Sequence, residues 1–307
     1  MGRSKFLYHL LALAVVAVWG VTFVCTKVLI AAGLRPAGIF AIRFTLAYAG
    51  IWVLSLLQGG RVRLWSRGWR DEGVFLFLGV TGGSFYFLME NTALAYTQAS
   101  NVAFLVCSAP LFTALLSLLY RRLRKDRFSA ALEDFGQGWK LLLGSALALG
   151  GMALMLFEGA RLQLSLRGDL LALGAALCWA LYSLFMGKMT EDYGALFATR
   201  KVFFYGLVTI LPFLPGREMS GLWEILREPA VWGNLLFLGL VASLACFVAW
   251  NLVMSRLGNI TSTNYVYLNP VFTLISAMIL LGERLTPAGA AGSALILLGV
   301  ILAGQRH

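Results

Sequence analysis

Charge is what this sequence has least of. Only 13% of its 307 residues are Asp, Glu, Lys or Arg, and the 14 acids are outnumbered by 25 bases. Soluble domains carry about 25% charged residues. Here 60% of residues are hydrophobic, which is more apolar surface than one aqueous core could bury. Histidine is scarcer still, with only His9 and His307, one near each end. That leaves no interior site for histidine-based acid–base chemistry. No HExxH signature, GxSxG elbow, P-loop or paired intramembrane aspartates stand in for it. An enzyme is therefore not expected, and no metal or cofactor is implied. The four cysteines, Cys25, Cys107, Cys178 and Cys246, have no CxxC spacing. They read as small apolar packing residues.

What is present is long apolar runs, such as Leu10 to Val24, Phe75 to Met89 and Leu235 to Val253. These approach the roughly 20 residues a helix needs to cross about 30 Å of hydrocarbon. The alternation of a membrane barrel is absent, so an all-α integral membrane protein is expected. Breaks at charges, Gly and Pro place ten spans near 7–29, 36–57, 73–95, 100–120, 139–157, 169–189, 195–214, 230–254, 261–282 and 287–304. The N-terminal run resembles a secretion signal, but it continues past Trp19 without a small-x-small cleavage site and reads as the first span.

The net charge of +11 follows the loops. Bases crowd alternate segments, among them Arg61, Arg63, Arg67, Arg70 and the run from Arg121 to Arg127. The intervening segments hold few, such as Arg35, Arg161 and Arg217. This bias predicts a cytoplasmic-membrane protein with both termini cytoplasmic, and it gives no reason to expect nucleic acid as a partner. Trp65, Trp69 and Trp223 suit the interface belt of such a protein.

The sequence also repeats. A displacement of 160 residues lays Trp19 on Trp179, Leu78-Gly79 on Leu238-Gly239, Asn91 on Asn251, and the tetrad from Pro110 to Thr113 on that from Pro270 to Thr273. At 157 residues IFAIRFTLAY falls on LFATRKVFFY, and at 148 GSALALGG falls on GSALILLG. The shrinking offset places extra residues in the first half, around the basic segment 121–138. Two units follow, 7–157 and 169–304. Each has five spans, an odd number, so the second enters the membrane inverted. Inverted repeats commonly supply secondary transporters with their two alternating conformations and a substrate site at the repeat interface.

Two five-helix halves, the Trp19-Gly20 pair near the end of the first span and the LGERLTP segment from Leu281 to Pro287 together resemble the EamA-like family of the drug/metabolite transporter superfamily. The likeness covers essentially the whole chain. It implies export or exchange of a small metabolite, amino acid or toxic compound without ATP, and a site lined by spans three, four, eight and nine. The first half departs from the family pattern, because its fourth span ends LLYRRLRKDR where a Gly-Glu segment is common. A channel or a non-transporting scaffold is the alternative. No filter-like segment supports the first, and no soluble domain supports the second.

Candidate pathway residues are the polar groups at lipid depth, where an ionised side chain costs at least a few kcal/mol unless paired, watered or protonated. A rise of about 1.5 Å per residue places Glu90 roughly 25 Å across the bilayer and Arg43 roughly 10 Å from the outer face, at similar depths. A Glu90–Arg43 pair is expected, with Lys27 as a more peripheral partner for Glu90. Glu90 either faces a watered cavity, binding a cationic group or a proton, or is part of a structural pair. Asn91 and Asn251 recur in both halves, while Glu90 faces Trp250, Tyr265 faces Leu105 and Asn269 faces Ala109. Thr261, Tyr265 and Asn269, spaced by four, would share one helical face, and their donors and acceptors suit a zwitterionic or polar solute. Tyr86 and Phe247 could add aromatic walls. Pro110 and Pro270 each remove a helix hydrogen bond, freeing the carbonyls of Val106 and Val266, and are candidate hinges. Arg200 and Lys201 read as positive-inside anchors or as attractors of anionic solutes. No residue pattern sets an oligomeric state.

Overall fold

A computed structural model describes residues 3–57, 63–97, 99–123, 143–151, 153–154, 165–214, 222–281 and 287–304. Among these, all regular structure is helical. In the first half lie α1 (Arg3–Ala31), α2 (Pro36–Leu57), α3 (Trp69–Gly79), α4 (Phe85–Tyr96), α5 (Ala99–Val106), α6 (Ala109–Leu123) and α7 (143–151). In the second lie α8 (Leu166–Tyr193), α9 (Ala195–Ile210), the short α10 (Leu222–Ile225), α11 (Pro229–Leu236), α12 (Cys246–Leu257), α13 (Asn259–Asn264), α14 (Asn269–Leu281) and α15 (Pro287–Gly304).

Local chemistry sets these ends. Asp71 and Glu72 fall in the first turn of α3, where the helix dipole favours acids. The Ser165 hydroxyl accepts from the Gly168 amide and caps α8. Gly194 and Gly258 both sit at φ +84°, which lets the chain reverse sharply between α8 and α9 and between α12 and α13. Two π-helical segments, Val80–Ser84 and Phe237–Ala245, interrupt the long helices that join α3 to α4 and α11 to α12. A displacement of 160 residues carries the first segment into the second.

Six helical stretches are long and apolar enough to cross a membrane: Lys5–Ala31, Pro36–Leu57, Trp69–Tyr96, Leu166–Tyr193, Ala195–Phe213 and Pro229–Leu257. They coincide with six of the ten spans expected from sequence. The expected fourth span is broken, because α5 stops at Val106 and α6 begins at Ala109 with Pro110 in its first turn. The expected ninth is divided among α13, a 3-10 turn at Tyr265–Leu268 and α14, again with Pro270 opening the last piece. In both places a proline without an N–H stands where a continuous helix would need a donor. The expected fifth span is described at 143–151 and 153–154 only, and the basic segment after Leu123 and residues 282–286 of the LGERLTP stretch lie outside the described residues.

The most extensive packing joins the two halves: α4 with α8, α1 with α14, α2 with the second π segment, α3 with α9, and α1 with α12. Exposed Leu57 and Leu166, each about three-quarters accessible, show the surface expected where hydrocarbon is the solvent. The protein is a multi-pass membrane protein.

Candidate functional site

A cavity of about 30 Å³ lies where α1, α2, α4, α5, α8, α12, the 3-10 turn and α14 converge. Helices from both halves therefore build its wall. That volume suits a water molecule or two and is far below an ordinary small-molecule site. All the lining residues are buried.

Aromatic rings form most of the wall. Trp19 and Trp179, the repeat-related pair, meet edge to face with centroids 5.3 Å apart at 88°. Phe247 lies 5.8 Å from Trp19 and 6.0 Å from Trp179. Tyr86 packs 5.2 Å from Trp179. The two tryptophans differ in one respect. Trp19 Nε1 donates to the Ala242 carbonyl at 3.0 Å, whereas Trp179 Nε1 is buried without a partner among the described residues.

Two charged residues face this apolar enclosure. Glu90 in α4 accepts a hydrogen bond from Tyr86, one turn earlier, at 2.9 Å. Arg43 in α2 donates from Nε to Ser243 Oγ in the second π segment at 2.5 Å, and its guanidinium carbon lies 4.5 Å from the centroid of Phe87. The expected Glu90–Arg43 pair thus takes a different form. Both line one cavity and act on each other electrostatically, but the nearest partner of each is a neutral hydroxyl. Lys27 is elsewhere, donating to the Thr97 carbonyl at the end of α4, 3.2 Å away.

Asn269 completes the polar set. It is buried in the wall, with its amide oxygen unpartnered among the described residues. Tyr265 is turned away and bonds His9 Nδ1 in α1 at 2.6 Å. The shared face expected for Thr261, Tyr265 and Asn269 is lost because the 3-10 turn at Tyr265–Leu268 advances three residues per turn rather than 3.6. Asn91 and Asn251 also lie off the cavity. Asn91 donates to the Pro36 carbonyl at 3.2 Å. Asn251 accepts from the Tyr182 hydroxyl and donates to Thr199 Oγ1 at 2.8 Å, tying α12 to α8 and α9. The breaks beside Pro110 and Pro270 place Val106 and Val266 in the wall. The Val266 carbonyl accepts from the Asn269 backbone N–H, which closes the 3-10 turn, and from the Cys107 thiol at 3.3 Å.

Sequence reasoning passed over Thr22, Phe23 and Phe87 in the wall, and over Ser243 as the partner of Arg43. The self-alignment had already matched Trp19 with Trp179; that recurrence is the signal that could have assigned them to the site. Lys201 is not available to solutes. It forms a buried ion pair with Glu72 at 2.8 Å, and the Tyr205 hydroxyl donates to the same carboxylate. Among the described residues no group of His, Cys, Asp and Glu could hold a metal.

Comparison with known proteins agrees with this architecture. The family model of the EamA-like transporter family matches residues 6–132 and 166–305. A probable amino-acid metabolite efflux pump of Salmonella typhimurium is 29% identical, the match covering 95% of this chain and 93% of that protein. A probable terminal-alkyne amino-acid exporter of Streptantibioticus cattleyicolor is 27% identical, covering 77% and 74%. An uncharacterized transporter of Archaeoglobus fulgidus is 24% identical, covering 95% and 96%. A solved crystal structure superposes with a TM-score of 0.65 at 21% identity, covering 99% of this chain and 97% of that one; it supports the fold.

Proposed function

The chain belongs to the EamA-like transporter family, and from that premise we propose that it is a secondary exporter of a small organic metabolite, an amino acid or a close derivative, working by alternating access. The observation that carries this reading is the small cavity between the two halves, which holds one acid, one base and an aromatic wall. Relatives whose names specify amino-acid export, matched over most of the chain, favour the amino-acid class.

The finer reading is a ten-span protein of two inverted five-helix units, 7–157 and 169–304, in the cytoplasmic membrane with both termini inside. Support comes from the repeat-related π segments, the meeting of Trp19 with Trp179 and the loop-charge bias. Interruptions at Pro110 and Pro270 would be where the fourth and ninth spans bend as the cavity opens alternately to each side. Glu90, held by Tyr86, is the acid placed to exchange a proton against the solute. No catalytic role is assigned to any residue. The channel alternative gains nothing from a cavity of about 30 Å³ whose lining residues are all buried.

The test is mass spectrometry of medium and cytosol from cells producing the wild type or Glu90→Gln at equal membrane levels. Outward movement of one metabolite class with the wild type alone supports both exporter and acid. If the variant exports equally, Glu90 is structural. If neither protein moves any metabolite, the exporter reading falls. An inward proton gradient imposed on proteoliposomes should accelerate solute exit; an unchanged rate would remove the proton from the mechanism.

A further inference from the structure

The unused hydrogen-bonding capacity of the cavity is divided by sign. Arg43, its Nε engaged by Ser243, and the indole N–H of Trp179, unpartnered among the described residues, make up one group. Both are donors. Glu90, one of whose oxygens is taken by Tyr86, and the amide oxygen of Asn269, unpartnered among the described residues, make up the other. Both are acceptors. All four residues are at least nine-tenths buried, at 2%, 4%, 7% and 4% exposed in the order named, and all four line one cavity.

A buried donor or acceptor without a partner is costly. It is tolerated here at two points of one small enclosure, next to two charges whose direct partners are neutral. We propose that the site selects solutes by a two-ended charge test: a carboxylate received by Arg43 and Trp179, an ammonium received by Glu90 and Asn269, and between them a compact apolar side chain against the aromatic wall. This rests on the exporter reading and deepens it, since it states which solutes of a mixed metabolite pool pass and which are refused.

The energetics favour refusal of singly charged analogues. A solute with only a carboxylate leaves Glu90 desolvated with no counter-charge. A solute with only an ammonium does the same to Arg43. An uncompensated buried charge is penalised much more heavily than a missing contact. The zwitterion alone neutralises both ends and replaces the water it displaces with charge-assisted hydrogen bonds. The present volume is too small for any such solute, so binding must also widen the wall.

The experiment measures the thermal shift of the purified full-length protein against three isosteric probes: valine, valinamide (ammonium only) and 3-methylbutanoate (carboxylate only). Valine should half-saturate the shift at a concentration at least about tenfold below either analogue, the factor expected for one lost charge-assisted bond. Glu90→Gln should move preference toward 3-methylbutanoate, and Arg43→Gln toward valinamide. Trp179→Phe keeps the ring and removes the N–H. It should weaken valine and 3-methylbutanoate severalfold and leave valinamide unchanged.

Equal binding of valine and a singly charged probe by the wild type overturns the proposal. So do charge variants that lose all three probes alike while Trp179→Phe loses none. Counterflow of a mixed metabolite pool through wild-type proteoliposomes separates the two levels. Flux without preference for zwitterions overturns the charge test and leaves the exporter. Absence of flux for every pool member overturns both.

Discussion

Two buried asparagines show how burial and use diverge at the residue scale. Asn251 and Asn269 both sit inside the bundle, but Asn251 has each end of its amide engaged, by Tyr182 and by Thr199. Asn269 lines the cavity, and its amide oxygen has no partner among the described residues. Asn251→Ala would strand the buried Tyr182 hydroxyl, while Thr199 keeps its bond to the Ala195 carbonyl, costing about 1–3 kcal/mol. It should lower the melting temperature in detergent and leave the KM of the folded fraction unchanged. Asn269→Ala should do the reverse, raising KM severalfold with little change in melting. Equal behaviour of the two variants would remove the distinction. Glu90 and Arg43 were legible because ionisable groups are rare at lipid depth. Ser243 was not, since one serine in an apolar helix is compatible with almost any surroundings. The partner of Arg43 lies 200 residues away.

The decisive features of the elements are close crossings and interruptions. At Gly79 an added Cβ would lie 2.5 Å from the Tyr205 Cβ and 2.9 Å from the Gly206 amide nitrogen, so the end of α3 packs directly on the backbone of α9. Gly239 makes a comparable approach to α2, where an added Cβ would meet the Leu46 Cβ at 2.9 Å. The Gly79-xxx-Gly83 spacing marks such a contact in the sequence, without saying which helix comes close. Gly79→Ala forces α3 and α9 apart and should cost about 1–3 kcal/mol, read as a lower melting temperature and a smaller monodisperse yield. An unchanged melt would mean the crossing relaxes freely. Neither the π segments nor the 3-10 turn at Tyr265–Leu268 leaves a mark in hydrophobic pattern. The expected polar face failed for that reason: one tighter turn rotates every residue before it relative to every residue after it.

Across the whole molecule the halves interlock rather than abut. The Lys201–Glu72 pair is one fastening, joining α3 of the first half to α9 of the second. With both side chains under a tenth exposed, Lys201→Ala should leave an uncompensated carboxylate and cost roughly 3 kcal/mol. Removing both charges as Glu72→Gln with Lys201→Met should restore much of the loss. A double-mutant cycle by thermal unfolding checks this, and additive losses would show that the pair contributes no coupling. Nearby, Arg200 donates to the Arg63 carbonyl and lies over Trp52 at 4.9 Å, whereas its repeat-related residue Arg43 faces the cavity. The two arginines match in the self-alignment of the sequence, and their tertiary surroundings give them different contacts.

Composition and periodicity alone determined the membrane environment, the helical class, the loop-charge bias and the internal repeat, because each depends on sums or spacings along the chain. The presence of six long spans was legible for the same reason, since length and apolarity are local properties. The tertiary structure decided which polar groups meet: Arg43 with Ser243, Glu90 with Tyr86, Lys201 with Glu72, and Tyr265 with His9 instead of the cavity. Apolar helices carry little amphipathic signal to orient their faces. Their rotation and contacts are set by close packing of small residues and by the few hydrogen bonds that can form away from water, and those depend on residues far apart in the sequence.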